Sequence, residues 1–483
     1  MIYRQVSLKM VIFECKLTGM HKVKFILSAI LLLVVITGQP QSKKEAIIET
    51  EKDPLILNKL ELWKDLKFGL LMHWGPYSQW GIVESWSICS EDEDWCRRSM
   101  KNYTDYCRSY IKLQKTFNPS KFDPEKWALA AKYAGMKYVI FTTKHHDGFC
   151  MFDTKETNYR ITDSACPFHS NARADVAKEI FNAFRAKGFW TGAYFSKPDW
   201  HCNDYWAEEW ATPTRNVNYS IKKYPERWQK YCDFTYNQIR ELMSRYGKMD
   251  ILWLDGGWVD PKNGQDINMP KIASMARSYQ PDLLMVDRTV TGKYENYRTP
   301  EQEIPDKLLD YPWETCMTMA TSWSYVPGDI YKPTNRIIHM LAEVVCKGGN
   351  YLLNIGPSPE GEFADTAYQR LHEIGEWMKV NGEAIYGSRP VYPFQSGTTC
   401  FTSSADGTVY AICLVDQSVV SMPGTMEIND FKPVKGATVE LLGCKGNLKW
   451  ESDGNSGFII HVPQKIQMNP PGRHAWTFRV RTK

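Results

Sequence analysis

Titratable and aromatic side chains stand at the ends of several short apolar runs in this sequence of 483 residues. The runs end, in chain order, in Met72-His73-Trp74, Lys144-His145-His146-Asp147, Tyr194-Phe195-Ser196, Trp253-Leu254-Asp255 and Asp287-Arg288. His, Tyr, Asp or Arg stands at five successive run ends. Burying these side chains in an apolar core would be unfavourable, because each buried polar group needs a hydrogen-bond partner. The pattern therefore indicates one functional site to which several strand ends contribute.

Three kinds of chemistry could use such a set, and two of them fit it poorly. A metal-dependent hydrolase would bind its ion through His73, His145, His146 and Asp255. Adjacent histidines on a strand point to opposite faces, however, which disfavours that set. A phosphate-binding enzyme would need a glycine-rich loop that opens a helix, and Gly256-Gly257 is a weak match.

A glycosidase is the third class, and the run ends offer what it needs. Such an enzyme uses one carboxylate as a nucleophile and a second as an acid/base, surrounded by aromatic residues and by His and Arg side chains that bind hydroxyl groups. The chain has 18 Trp and 26 Tyr, and rings with polar tips suit a ligand that is itself a partly polar ring. This chemistry requires neither a cofactor nor a metal, and we expect none.

Strand-like and helical patterns alternate along the chain and would position these run ends. The strand-like runs cover residues 68–74, 137–142, 189–195, 251–255, 283–287 and 351–355. The helical patterns, each followed by a glycine, cover residues 124–133, 174–187, 228–246 and 335–347. Alternation at this spacing predicts parallel βα units. We therefore expect an α/β fold, a (β/α) barrel of about eight units with its catalytic groups at the C-terminal ends of the strands.

The pattern changes from about residue 390. Short alternating runs over residues 408–415, 438–442, 458–462 and 475–480 are separated by Gly, Asn and Asp, without a long helical pattern. These features predict a small antiparallel β-sandwich. The predicted domains are a catalytic barrel over residues 54–389 and a C-terminal β-sandwich over residues 390–483.

The first residues have the layout of a secretory signal. Lys22 and Lys24 precede an uncharged run over residues 25–38, which is shorter than the ~20 apolar residues that a membrane-spanning helix needs. A membrane anchor is the alternative. We expect a signal peptide over residues 1–38, a linker over residues 39–53 and an exported protein without a stable membrane anchor. Its location would be the periplasm or the extracellular space in a bacterium, and the lysosome or the secreted fraction in a eukaryote.

The charge distribution excludes one class of partner. Residues 1–38 carry five basic residues and one acidic residue, which accounts for the whole formal net charge of +4. The rest of the chain is neutral. A neutral body gives no electrostatic reason to expect nucleic acid or an anionic membrane surface as a partner.

Five longer strings resemble a known family. They are Gly69-Leu70-Leu71-Met72-His73-Trp74-Gly75, Thr143-Lys144-His145-His146-Asp147-Gly148-Phe149, Leu252-Trp253-Leu254-Asp255-Gly256, Trp313-Glu314-Thr315-Cys316 and Gly348-Gly349-Asn350-Tyr351-Leu352-Leu353-Asn354-Ile355-Gly356-Pro357. They are similar to strings of the retaining α-L-fucosidases, and the resemblance extends over about residues 63–389. The second and fifth strings are highly specific for that family.

The resemblance implies roles for individual residues. Asp255 would be the nucleophile, and Trp253, two residues earlier, would project to the same side of the strand. The side chains that would bind fucose hydroxyl groups or close the pocket are His73, Glu84, Trp86, His145, His146, Tyr194 and Arg288. Trp253 and Phe149 are the candidates for an apolar wall against the C5 methyl group of fucose.

Two residues qualify as the acid/base, because the family places it on variable loops after the strand that bears the arginine. Glu301 follows Thr299-Pro300 on a loop rich in proline and charge, which could fold over the sugar. Glu314 lies in the Trp313-Glu314-Thr315 string and would otherwise anchor the next strand. We favour Glu301.

The function implied by the resemblance is that of an exo-acting α-L-fucosidase. It would release terminal L-fucose from glycans or glycoconjugates by a retaining double displacement. Two alternatives stay open on the sequence: another retaining exo-glycosidase with a galactose-type substrate, and a catalytically silent sugar-binding protein.

Overall fold

The computed structural model describes residues 49–89, 96, 98–210 and 214–481. The predicted signal peptide and the first ten residues of the predicted linker lie outside the described residues. Helix α1, Pro54–Leu66, begins directly after the linker; Asp53 caps it by accepting a hydrogen bond from the backbone N of Leu55, and proline occupies the first helical position. Among the described residues, no helix combines the length and the apolar character needed to cross a bilayer.

Seven parallel strands form a curled sheet at the centre of the larger domain. They are β1 Phe68–Met72, β2 Tyr138–Lys144, β3 Trp190–Ser196, β4 Ile251–Asp255, β5 Leu284–Asp287, β6 Glu314–Thr318 and β7 Asn350–Ile355. Their order is β5-β4-β3-β2-β1-β7-β6, and every neighbouring pair is parallel. Nearly all residues of these strands are buried, as expected for a sheet that is covered on both faces.

The two edge strands of this sheet, β5 and β6, are joined by an extended segment of residues 294–302. The backbone N of Asn296 donates to the carbonyl of Met285 in β5 at 2.9 Å. On the other side, the backbone N of Cys316 in β6 donates to the carbonyl of Pro300 at 3.2 Å. The barrel therefore has seven regular strands, and an irregular segment takes the place of an eighth βα unit.

Helices follow the strands and cover the outside of the sheet. They are α2 Tyr103–Ile111, α3 Pro124–Tyr133, α4 Val176–Ala186, α5 Pro225–Arg245, α6 Met269–Tyr279, α7 Thr334–Cys346 and α8 Asp365–Asn381. The four predicted helices correspond to α3, α4, α5 and α7. Gly135 and Gly188 follow α3 and α4 with φ of +88° and +86°, a backbone conformation that glycine adopts without strain.

The C-terminal domain is an antiparallel sheet of eight strands. They are β8 Arg389–Ser396, β9 Thr399–Ser403, β10 Val409–Leu414, β11 Thr425–Ile428, β12 Thr438–Leu441, β13 Asn447–Ser452, β14 Phe458–His461 and β15 Ala475–Arg481, with the short helix α9, Gln464–Met468, before β15. Their order is β11-β14-β13-β12-β15-β10-β9-β8. Ile428 from β11 and Phe401 from β9, near opposite ends of this order, belong to one buried core. The sheet therefore folds over itself, as predicted for a small β-sandwich.

The two domains share a continuous apolar contact. Cys400, Ile412 and Ala475 of the C-terminal domain belong to the same buried cluster as the barrel helices. The indole Nε1 of Trp377 in α8 donates to the backbone carbonyl of Ala475 at 3.0 Å. Helices α7 and α8 thus pack between the barrel strands and the C-terminal domain.

Candidate active site

The C-terminal ends of the barrel strands surround a cavity of about 190 Å³. Ten of the twelve residues predicted for the site line it: His73, Glu84, Trp86, His145, His146, Tyr194, Trp253, Asp255, Arg288 and Glu301. The exceptions are Phe149 and Glu314. The residues come from five strand ends and the loops after them, so the parallel sheet brings together side chains that are far apart in sequence.

Asp255, the last residue of β4, is held by three neighbours. Tyr194 donates its hydroxyl to Oδ2 at 2.7 Å, Arg288 donates Nη1 to Oδ1 at 3.0 Å, and His146 Nε2 lies 3.8 Å from Oδ2. Burial opposes ionisation, but the charge of Arg288 and these contacts outweigh it and hold the pKa of Asp255 well below its usual range. Asp255 is therefore an ionised carboxylate at the floor of the cavity.

Glu301 shares Arg288 with Asp255. Arg288 Nη2 donates to Glu301 Oε2, while Nε of the same guanidinium donates to Thr299 Oγ1 at 3.2 Å. Glu301 lies on the extended segment 294–302, and its side chain is 42% exposed. One guanidinium thus holds two carboxylates, a buried one through one terminal nitrogen and a solvent-accessible one through the other.

Glu314 lies in a different environment at the start of β6. It is fully buried, with Tyr138 donating its hydroxyl to Oε2 at 2.6 Å and Trp253 donating Nε1 to Oε1 at 3.2 Å. Burial raises the pKa of Glu314 to about 7. Because β6 runs towards the cavity, a residue at its start lies deep in the barrel, where Glu314 supports Trp253 and does not face the cavity.

The three histidines of the site are neutral at neutral pH. Burial lowers the pKa of His73 and of His146 to about 4, and that of His145 well below its ordinary value. Nδ1 of His73 lies 2.8 Å from Asn354 Oδ1, and Nδ1 of His145 lies 2.5 Å from Ser85 Oγ. These contacts orient both rings, and a neutral imidazole can donate one hydrogen bond and accept another.

Glu84 and Trp86 reach the cavity from one short turn after β1. Ser85 between them points instead to His145, as described above. Glu84 is buried; its Oε1 accepts a hydrogen bond from the backbone N of Ser324 at 3.0 Å, and burial raises its pKa to about 8. The turn thus supplies a protonated carboxyl, an indole and the hydroxyl that orients a histidine.

Trp253 and Phe149 are placed differently. Trp253 lines the cavity, with its ring stacked on Tyr194 at a centroid distance of 5.3 Å and the Arg288 guanidinium 5.2 Å from its centroid. Phe149 is buried against Phe117 and Tyr159 and is not part of the lining. Trp253 is therefore the candidate that can present an apolar face to a ligand.

Five lining residues were not predicted: Leu71, Arg215, Trp258, Cys316 and Trp323. Trp258 lies three residues after Asp255, and a position just after a strand end could have predicted it as a site residue. Arg215 and Trp323 lie on long loops, and no local pattern in the sequence distinguishes them from other loop residues. Their place at the site depends on tertiary packing.

Three side chains of the cavity lie close enough together to be considered as metal ligands. Within the described ranges, one group of three potential ligand atoms falls within 4.8 Å, from His145, His146 and Asp255. The carboxylate of this group is hydrogen-bonded by Tyr194 and lies 3.0 Å from the cationic Arg288. A positive charge at that distance opposes a second cation, so these residues do not fit a metal site.

Known proteins are similar to this chain over both of its domains. The family model Alpha-L-fucosidase matches residues 35–383, and the model Alpha-L-fucosidase C-terminal domain matches residues 394–481. The tissue alpha-L-fucosidase of Homo sapiens is 29% identical over 477 residues, which covers 94% of this chain and 96% of that protein. That of Rattus norvegicus is 30% identical over 445 residues, covering 87% of this chain and 90% of that protein.

Solved structures show the same likeness. Alpha-L-fucosidase isoenzyme 1 from Paenibacillus thiaminolyticus superposes with a TM-score of 0.73 at 27% identity, covering 89% of this chain and all of that one. The Thermotoga maritima alpha-fucosidase in complex with fucose gives a TM-score of 0.68 at 26% identity, covering 87% of this chain and 96% of that one. With both domains matched and a barrel model that spans well over half of the sequence, the chain belongs to the α-L-fucosidase family of glycoside hydrolases.

Proposed function

We propose that this enzyme releases terminal L-fucose from glycans or glycoconjugates by a retaining double displacement in which Asp255 is the nucleophile and Glu301 the acid/base. Asp255 attacks the anomeric carbon while Glu301 protonates the departing oxygen. Water, deprotonated by Glu301, then releases fucose from the covalent intermediate. No step requires a metal or a cofactor.

The bridge that Arg288 makes between Asp255 and Glu301 is the observation that carries this proposal. Retaining glycosidases need their two carboxyl groups ~5 to 5.5 Å apart, close enough for one to attack while the other protonates. Two carboxylates bound to the terminal nitrogens of one guanidinium are held near each other at the cavity. Glu314 lacks this relation, and we assign it the supporting role under Trp253.

The environments of the two carboxylates suit the two roles. The low pKa of Asp255 keeps it ionised, as a nucleophile must be, and also makes it a good leaving group in the second step. Glu301 is partly exposed, so water and the departing group can both reach it. The neutral histidines 73, 145 and 146, with Glu84 and Tyr194, would bind the sugar hydroxyl groups.

The substrate preference follows from the apolar side of the cavity. Fucose carries a methyl group at C5 where galactose carries a hydroxymethyl group. A wall such as the Trp253 ring has no partner for the additional hydroxyl, and such an unpaired group costs ~1 to 3 kcal/mol. We therefore assign fucose as the preferred sugar and a fucosylated oligosaccharide or glycoconjugate as the partner of the site.

The cellular location is part of the same proposal. The basic and apolar leader over residues 1–38 supports export. The relatives include proteins named tissue and plasma alpha-L-fucosidase. We propose that the mature enzyme begins near residue 39 and acts outside the cytosol, with its barrel over residues 54–389 and its second domain over residues 390–483.

The test is hydrolysis of an aryl α-L-fucoside followed by NMR, with the aryl α-L-galactoside as a matched substrate that adds only one hydroxyl group. We expect α-L-fucose as the first product and a kcat/KM roughly fivefold to over a hundredfold higher for the fucoside. Equal kcat/KM values would contradict the assignment of fucose and favour a galactose-type substrate, without contradicting the retaining mechanism. A β anomer as the first product would contradict retention, and sugar binding without turnover would favour a silent binding protein.

A further inference from the structure

The loop between β3 and α5 brings Arg215 into the lining of the catalytic cavity. The backbone carbonyl of Arg215 accepts hydrogen bonds from three side chains: Trp200 Nε1 at 3.2 Å, Tyr205 OH at 3.1 Å and Trp258 Nε1 at 3.1 Å. A carbonyl oxygen has two lone pairs, so three converging donors saturate it. The backbone at Arg215 is therefore fixed, although it belongs to a long loop.

The side chain of Arg215 is positioned by two tryptophans of the same cavity. Its guanidinium carbon lies 5.1 Å from the ring centroid of Trp86 and 5.7 Å from that of Trp258. Both distances are within the ~6 Å over which a cation interacts with an aromatic face. The rings contact the flat face of the guanidinium. Its N–H groups point outwards in the plane of the guanidinium and so do not point at the rings.

The location of Arg215 relative to the reacting centre is defined by its neighbours. Trp86 and Trp258 both contact His146, at centroid distances of 5.4 Å and 5.3 Å, and His146 Nε2 is 3.8 Å from Asp255. Arg215 therefore shares the cavity with Asp255 and is connected to it through these aromatic rings. Glu301, in contrast, contacts Arg288 directly. A sugar whose anomeric carbon lies at Asp255 occupies the same cavity, so Arg215 can contact a hydroxyl group on a ring carbon away from C1.

We propose that Arg215 binds the C3 or the C4 hydroxyl group of the fucose unit and so contributes to substrate specificity. The inference rests on the proposed fucosidase activity. A guanidinium stays protonated at every relevant pH and can donate only, so it selects an oxygen acceptor at this position. A hydrogen bond from a cation is stronger than one from a neutral donor, which makes Arg215 a substantial contributor among the neutral histidines.

A purely structural role is the competing explanation, because Arg215 also holds Trp86 near Trp258. The chain offers a matched control for it. The guanidinium carbon of Arg227 lies 5.0 Å from the Trp210 centroid and 5.2 Å from the Tyr219 centroid, in the same region but outside the cavity lining. Arg227→Gln removes a comparable contact with two rings, together with the ion pair to Glu209, at a position outside the cavity lining.

The experiment compares kcat/KM of the full-length enzyme and its Arg215→Gln and Arg227→Gln variants on 4-nitrophenyl α-L-fucoside and on its 2-, 3- and 4-deoxy analogues. We expect Arg215→Gln to lose about tenfold to a hundredfold on the parent fucoside and on the 2-deoxy analogue. On either the 3-deoxy or the 4-deoxy analogue the loss should vanish, because the hydroxyl that Arg215 binds is already missing. Arg227→Gln should match the wild type on all four substrates.

Arg215→Lys provides a second variant should Arg215→Gln fail to fold. It keeps the cation but not the planar fork, and we expect a smaller loss with the same dependence on the analogue. An equal loss on all four substrates, or no loss on the parent, would overturn the inference. A wild-type enzyme that is inactive on the parent fucoside would overturn the proposed function and the inference together. An active wild type with one of the two outcomes above would overturn the inference alone.

Discussion

Arg288 is the residue on which both carboxylates of the active site depend. Its contact with Asp255 favours the ionised form of the proposed nucleophile and would stabilise that carboxylate again when it leaves the sugar. Its contact with Glu301 places a second, more exposed carboxylate beside the first. A single side chain thus contacts both the proposed nucleophile and the proposed acid/base.

Replacing Glu301 should produce the kinetic signature of a lost acid/base. We expect Glu301→Ala to retain much of its kcat on aryl fucosides with acidic leaving groups and to lose on the order of 10² to 10⁴-fold on natural linkages, which need protonation. Azide should restore turnover and yield the α-fucosyl azide. Glu314→Ala serves as the matched carboxylate control and should lose stability without this leaving-group dependence. The opposite pattern, with the α-azide formed by Glu314→Ala, would move the role to Glu314.

Glu84 should make the stability of the fold depend on pH. Burial raises the pKa of Glu84 in the folded protein to about 8, from an ordinary value of 4.5. Between these values the folded state binds a proton that the unfolded state lacks, so the free energy of unfolding falls as pH rises from about 4.5 to 8. Stability from the protonated carboxyl is complete below that window and lost above it.

The variant that tests this linkage is Glu84→Gln, which keeps the shape and removes the titration. Urea unfolding at several pH values gives the free energy of unfolding as a function of pH. Between pH 5 and 8, we expect the slope of this function to be less negative for the variant than for the wild type, by up to ~1.4 kcal/mol per pH unit. Identical slopes for wild type and variant would contradict the protonated state of Glu84 in the folded protein.

At the level of secondary structure, the strand ends were predictable and the segments between β5 and β6 were not. Six strands carry apolar runs that predict them, and their ends bring His73, Tyr194 and Asp255 to one face. The remaining strand of the barrel, β6, reads Glu-Thr-Cys-Met-Thr. It has no apolar run and was therefore not predicted. Arg215 reached the site through tertiary hydrogen bonds, for which the sequence has no local pattern.

A buried ion pair connects three of the strands that carry the site. Lys197, fully buried just after β3, donates Nζ to Asp287 Oδ1 at 2.5 Å and to the carbonyl of Val259 at 2.9 Å. Its backbone N donates to the carbonyl of Asp255 at 2.8 Å. Because Asp287 directly precedes Arg288, this pair fixes the nucleophile and its guanidinium partner relative to each other.

Breaking this ion pair should be costly, whereas removing both partners should not. We expect Lys197→Met to lower the free energy of unfolding by ~3 to 5 kcal/mol, because it leaves the Asp287 carboxylate buried without its cation. The double variant Lys197→Met with Asp287→Leu should recover most of that loss. Chemical denaturation of the three proteins measures both effects, and a double variant as unstable as the single one would show that the pair is not the cause.

On the scale of the whole molecule, the C-terminal domain is part of the structure that supports the barrel. Cys400, Ile412 and Ala475 lie in the same apolar cluster as the barrel helices, and Trp377 is hydrogen-bonded to Ala475. Glu383, two residues after the end of α8, also pairs with Arg479 at 2.9 Å. The barrel without its partner would expose the apolar surfaces of α7 and α8.

A chain that ends at Ser388 should therefore fail to form a stable barrel. We expect it to aggregate or to bind a hydrophobic dye, and the complete chain to unfold in a single cooperative thermal transition by calorimetry. A soluble, active shortened chain with its own sharp transition would show that the barrel is an independent unit.

The proposed mechanism depends on a covalent bond between Asp255 and fucose. Incubation with 2-fluoro-fucosyl fluoride, proteolysis and mass spectrometry measure it directly, because the fluorine slows breakdown of the intermediate. We predict one added 2-deoxy-2-fluoro-fucosyl group on the peptide that contains Asp255, with loss of activity in step with labelling, and no label on Asp255→Gly. A label on Glu301 or on any other carboxylate, or turnover without any label, would contradict the proposed mechanism.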